Sequence, residues 1–89
     1  MMQQTSIMSY IAMKQEGKIG PLQKQVLDCI KAHPAGINNR QIAEELKIAI
    51  NVITPRVNEL VKKYLVREGI KSKDLRTNKL TIFWVAEKL

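Results

Sequence analysis

The chain is poor in the residues that do chemistry. Of 89 residues, one is a cysteine and one a histidine, Cys29 and His33. A single Cys forms no internal disulfide, and one Cys with one His does not supply a closed zinc site. A Cys29–His33 nucleophile pair can be written on paper. However, Cys29 falls beside Val26 and Ile30 on the apolar side of a predicted helix, where a buried structural thiol is expected. There is no glycine-rich phosphate loop and no carboxylate cluster at metal-ligand spacing, so no metal, cofactor, small-molecule ligand or enzymatic activity is expected. Aromatics make up 4% of the chain, too few for the stacking platform that single-stranded nucleic acid needs. No long apolar run is present, so no transmembrane helix is expected, and the motifs described below, rather than this absence, make nucleic acid and not membrane the expected partner. The opening Met1-Met2-Gln3-Gln4-Thr5 lacks the layout of a secretory signal, and the expected compartment is the cytoplasm.

Acid is also scarce: eight Asp and Glu stand against fifteen Lys and Arg, giving a net charge of +7. That balance points to a polyanionic partner, either nucleic acid or an anionic membrane surface. Hydrophobic residues at 45% and charged residues at 26% are ordinary for a globular chain. The length suits one domain with a thin core.

Ile7, Met8, Ile11 and Ala12 recur at helical spacing and predict an N-terminal helix over residues 5–15, capped by Thr5 or Ser6 and ended by Gly17. Pro21 opens a second predicted helix as a first-turn proline, with Leu22, Val26, Leu27 and Ile30 on its buried face. His33-Pro34 ends it, because the residue before a proline leaves the helical region. Asn38 followed by Gln41 is an Asn form of the capping box, with Ile37 and Ile42 as its hydrophobic staple. A helix over 39–46 follows, with Ile42, Ala43 and Leu46 inward. Residues 47–50 read as a turn, and Asn51 reads as the cap of a helix over 52–64. Pro55 then falls in the first turn, where a missing amide costs little. Ile53, Val57, Leu60 and Val61 form its core stripe. Residues 65–71 and 80–85 read as strands around a polar loop, with Asn78 suited to positive φ. Ile82 and Trp84 face one side of the last strand, Phe83 and Val85 the other.

Helix, short turn, helix and basic hairpin is the order of a winged helix-turn-helix. The expected fold is mainly α with a small β-hairpin: a three-helix core with an N-terminal helix and a C-terminal wing. Residues 1–17 form the N-terminal helix, a candidate dimer element, and 18–89 the winged domain. In such a motif the second helix enters the DNA major groove. Opposite the core stripe, the helix carries Asn51, Val52, Pro55, Asn58, Glu59 and Lys62, with Arg56 and Lys63 on one flank and Thr54 on the other. Asn51, Val52, Pro55 and Arg56 are favoured, because the N-terminal half enters the groove most deeply. Glu59 would repel phosphate. It either pairs with Arg56 or Lys63 or accepts from a cytosine amino group. Lys71, Lys73, Arg76 and Lys79, against Asp74 alone, make the wing a phosphate clamp. Arg40 and Gln41 extend the clamp from a helix N-terminus.

The runs Asn38-Asn39-Arg40-Gln41-Ile42-Ala43-Glu44-Glu45-Leu46 and Ile50-Asn51-Val52-Ile53-Thr54-Pro55-Arg56-Val57-Asn58-Glu59-Leu60, with Lys71 to Asp74 and Thr77 to Trp84, carry a likeness. In them the chain resembles small winged-helix proteins encoded mainly by bacteriophages and prophages. Tyr10 in the N-terminal helix fits the same pattern. Two positions depart from it: Lys47 and Asn78 stand where glycine is usual. The resemblance implies a winged helix and a double-stranded DNA partner, and for a phage-encoded chain the bacterial host cytoplasm; a homodimer is a separate expectation, because winged-helix regulators often read two half-sites. Transcriptional regulation is the leading expectation. A protein-interaction module on the same scaffold and an accessory factor in phage replication or recombination are the alternatives.

Overall fold

The computed structural model describes residues 18–87. The expected N-terminal helix over 5–15 lies outside the described residues. Within them the order is α1 (Pro21–Lys31), α2 (Asn39–Leu46), α3 (Ile50–Lys62), β1 (Val66–Lys73) and β2 (Leu80–Ala86). This is the expected winged helix-turn-helix: three helices followed by a two-stranded antiparallel hairpin. Among the described residues no helix is long and apolar enough to cross a membrane.

Each helix contributes one apolar stripe to a shared core. Val26, Leu27, Cys29 and Ile30 come from α1, Ile42 from α2, and Ile53, Val57 and Leu60 from α3. Ile37, Leu65, Val66 and Trp84 complete the core, with Ala43, Leu46, Val61 and Ile82 packed against it. A fully buried side chain of this size contributes about 1.5–3 kcal/mol through the hydrophobic effect. Pro21 is the first residue of α1, and the Gly20 N–H donates to Gln23 Oε1 at 2.9 Å.

The start of α2 is as expected. Asn38 Oδ1 accepts from the Gln41 N–H at 2.8 Å, and the Asn38 N–H donates to Gln41 Oε1 at 3.1 Å. Its end carries no glycine. Lys47 takes the left-handed conformation (φ 58°, ψ 42°), and the Ile48 N–H reaches back to the Ala43 carbonyl at 3.0 Å. The left-handed turn is therefore kept with a lysine in it.

The start of α3 differs from expectation. Ala49 is the cap, its carbonyl accepting from Val52 and Ile53, and Asn51 lies in the first helical turn. Because the turn closes at Lys47, the helix begins two residues early. Pro55 consequently sits in the second turn, where it removes the amide that would bond the Asn51 carbonyl. The end of α3 is a Schellman motif with Tyr64 left-handed (φ 63°). The Tyr64 N–H donates to the Val61 carbonyl and the Leu65 N–H to the Leu60 carbonyl, both at 3.0 Å. The helix thus stops short of Tyr64, which its periodicity places inside it.

The strands pair from Val66 with Ala86 to Lys73 with Leu80. Glu68 faces Trp84 and Lys71 faces Ile82, so Gly69 and Ile70 oppose Phe83 alone in a β-bulge. A Cβ on Gly69 would lie 2.6 Å from the Phe83 carbonyl oxygen, which restricts this position to glycine. Ile37 adds a single bridge on the other edge of β2. Its N–H donates to the Trp84 carbonyl at 3.1 Å and its carbonyl accepts from Trp84 at 2.9 Å. Asn78 has φ 59°, the positive value expected of it.

Candidate nucleic-acid interface

Asn51, Pro55, Asn58 and Lys62 are exposed on α3, and Val52, Thr54 and Arg56 are half-buried. The α3 surface is therefore close to the expected one, but three of its residues, Thr54, Arg56 and Glu59, have internal partners. The Thr54 hydroxyl donates to the Ile50 carbonyl at 3.0 Å and accepts from Asn39 Nδ2 at 3.4 Å. Arg56 donates to Glu59 Oε2 at 2.8 Å. Glu59 also accepts from Gln23 Nε2 at 2.7 Å, so it ties α3 to α1. Those two donors, Gln23 first and then Arg56, hold its carboxyl below the usual range. Of the two readings left open for Glu59, the geometry has the pairing with Arg56.

Lys71, Lys73 and Lys79 of the hairpin are exposed and, like Lys62, carry no ion pair among the described residues. Cross-strand partners share a face, so Lys71 and Lys73 project on the side of Ile82 and Leu80, which is also the side of Trp84. Arg76 is exposed and donates to Glu44 Oε2 at 3.0 Å. Leu75 beside it is 100% exposed.

Asp74, read from sequence only as an acid among cations, is the hub of the hairpin. It is 3% exposed. Its Oδ1 accepts from Arg40 Nη2 at 2.8 Å and from the Arg76 N–H at 3.0 Å. Its Oδ2 accepts from Arg40 Nε and from Asn38 Nδ2, the latter at 3.1 Å. The Arg40 guanidinium, followed by the Arg76 amide and Asn38, holds the Asp74 carboxyl far below the usual carboxylate range. In return Arg40 is held firmly protonated by Asp74 and then Glu44, which it meets at 2.6 Å. The donors of Arg40, expected to reach phosphate, are thus engaged inside the protein. Gln41 spends its Oε1 on the capping box.

These contacts join the two expected DNA-facing elements. The first turn of α2 reaches α3 through Asn39 and Thr54, and reaches the hairpin through Asn38, Arg40 and Asp74. No local pattern signals this relay, because Asp74 lies 36 residues from Asn38.

Cys29 is buried and donates to Glu45 Oε2 at 2.8 Å. Burial and then Glu45 push its pKa up to about 12, so it is a neutral thiol with no nucleophilic character near pH 7. His33 Nε2 lies 2.9 Å from Glu45 Oε1. The sequence shows no cluster at metal-ligand spacing, yet the fold gathers Cys29, His33 and Glu45 with their ligand atoms within 4.8 Å of one another.

A crystal structure of Streptococcus pneumoniae FabT in complex with DNA is similar to this chain, with a TM-score of 0.61 at 17% identity. The match covers 94% of this chain and 61% of the FabT chain, and at that identity it bears on the fold. No match is found among curated protein sequences. The model of the family described as winged helix-turn-helix DNA-binding matches residues 21–67, from the first residue of α1 into β1. The chain belongs to the winged helix-turn-helix DNA-binding family.

Proposed function

We infer that the protein binds double-stranded DNA, placing α3 in the major groove and the hairpin cations on phosphate, and that it regulates transcription. The observation that carries this reading is the relay through Asn38, Asn39, Arg40 and Asp74. It fixes the polar face of α3 and a lysine-bearing hairpin to the same turn of α2. Asn51, Asn58 and Lys62 are the residues proposed at base edges or phosphate, with Val52, Pro55 and Thr54 packing against the groove. Arg56 is proposed as a positioning residue through Glu59 and Gln23. Lys71, Lys73, Arg76 and Lys79 are proposed on the backbone, with Gln41 Nε2 beside them. Arg40 acts through Asp74.

The likeness to FabT, whose structure is of a DNA complex, supports the partner. The resemblance to phage and prophage proteins supports a regulator of that origin acting in the bacterial cytoplasm. A homodimer reading two half-sites is the proposed assembly, with residues 1–17 as its contact. Analytical ultracentrifugation of the chain lacking them tests this, and an unchanged mass removes them as the sole contact.

Fluorescence anisotropy with labelled duplexes at two salt concentrations tests the main reading. Binding that weakens linearly in log–log form as salt rises is the expected result. Absence of binding to any duplex at low salt overturns it.

A second reading, a protein-interaction module, is favoured by one observation: Leu75, Leu80 and Ile70 of the hairpin are 100%, 70% and 62% exposed. A stoichiometric protein partner together with no DNA affinity would select it. A replication or recombination accessory would also bind DNA, and the neighbouring genes distinguish it.

A further inference from the structure

We propose that Cys29, His33 and Glu45 form a binding site for a divalent transition-metal ion of zinc type. The sole cysteine of the chain stands in the last turns of α1 and its sole histidine two residues beyond the helix end, and both reach the same carboxylate. Glu45, from the last turn of α2, meets both: its Oε2 is 2.8 Å from Cys29 Sγ and its Oε1 is 2.9 Å from His33 Nε2. Three ligands of sulfur, nitrogen and oxygen type suit zinc, which binds them at about 2.0–2.3 Å in tetrahedral array. Such an array separates its ligand atoms by about 3.3–3.6 Å. All three atoms here already lie within 4.8 Å of one another, so small side-chain rotations admit the ion.

The charges also match, since thiolate and carboxylate together neutralise a divalent cation and the imidazole binds as the neutral base. On binding, the Cys29 S–H bond breaks, the sulfur keeps the electron pair as a metal ligand, and the proton leaves to solvent. His33 and Glu45 line an open depression together with Gly36, Ile37 and Gln41. This leaves the fourth position to water or an external donor, as in open three-ligand sites. Cys29 is 5% exposed and the His33 side chain 39%, so the ion would sit at the rim of the core and clamp α1 to α2.

The test uses the full chain without an affinity tag. Titration with cobalt(II) is expected to give one ion per chain and a thiolate-to-metal charge-transfer absorption, which only Cys29 can produce. Calorimetry with zinc(II) in two buffers of different ionisation enthalpy is expected to count about one proton released. Cys29→Ser is expected to abolish the absorption, and His33→Ala and Glu45→Gln to weaken zinc binding tenfold or more. His33 and Glu45 are substantially exposed, so their variants carry the test if Cys29→Ser does not fold. Absence of the charge-transfer band in the wild-type chain, or zinc affinity unchanged in His33→Ala and Glu45→Gln, overturns the proposal. Neither result bears on DNA affinity, which is read separately.

Discussion

Asn38 Nδ2 donates to Asp74 Oδ2 at 3.1 Å while Asn38 Oδ1 caps α2. One buried amide thereby serves a helix start and a hairpin 36 residues away. Its two ends need opposite chemistry, an acceptor for the cap and a donor for the carboxylate. The amide supplies both, its oxygen accepting and its nitrogen donating. Asn38→Ala is expected to cost about 1–2 kcal/mol, the upper part of the range for a lost cap. Asn38→Asp keeps a good cap but sets a second carboxylate against Asp74, so it too is expected to be less stable than wild type. Urea midpoints at unchanged m-value measure both. Stability equal to wild type in the Asn38→Asp variant would show that the contact with Asp74 contributes nothing.

Acid should loosen the hairpin. The Asp74 carboxyl is held far below its unfolded value, chiefly by Arg40. Its contribution is therefore complete above the unfolded carboxylate pKa of about 3.9 and is lost as pH falls towards the folded value. Glu45 and Glu59 shift in the same direction. Stability is expected to fall below about pH 5, and Asp74→Asn to fall less steeply over that window while being less stable at pH 7. Equal slopes for the two proteins would exclude Asp74 as a source of the acid loss.

Base reading and phosphate clamping should separate by mutation. Asn58→Ala, on the exposed face of α3, is expected to cost about 1–3 kcal/mol at its preferred site and little on random duplex. Lys73→Ala is expected to weaken both alike and to lower the log–log salt slope by about one. Arg56→Ala, acting through Glu59, is expected to reduce thermal stability as well as affinity. Matched losses on specific and random DNA for Asn58→Ala would take it out of sequence readout.

Lys47→Gly should stabilise the protein. A side chain in the left-handed region costs about 1–2 kcal/mol, and glycine returns about 0.5–1 kcal/mol of that through unfolded-state entropy. A net gain of about 0.5–1 kcal/mol is expected by thermal or urea unfolding. Lys47 is exposed, so no packing is lost.

Features carried by neighbouring residues are legible in the sequence. The Asn38–Gln41 capping box, Pro21 at the start of α1 and the 3.6-residue core stripe of α3 are local, and each stands where the residue pattern puts it. The end of α2 at Leu46 stands where the sequence puts it, although Lys47 takes the conformation that glycine usually signals, whereas the end of α3 is unmarked because Tyr64 takes that conformation. The early start of α3 follows from the first of these, so Asn51 has the look of a cap without the place of one. At the candidate site the outward stripe is legible, as is the Arg56–Glu59 pair three residues apart. The role of Asp74, the tie from Glu59 to Gln23 and the gathering of Glu45 with Cys29 and His33 are not. Each joins residues at least twelve apart in the chain, and periodicity carries no information about such pairs.

The bulge at Gly69 acts as a phase shifter for charge. Strand residues alternate faces, so counting from Arg67 by twos would set Lys71 and Lys73 with Arg67, on the side of Val85. The extra residue opposite Phe83 resets the count and swings both lysines to the face of Trp84. Pairing Gly69 and Ile70 one-to-one with Phe83 and Ile82, without the bulge, would leave the net charge at +7 and the composition unchanged, yet carry two cations through the sheet to its far side. Where this hairpin can meet a polyanion is thus written in its register, and a glycine with no charge of its own decides it.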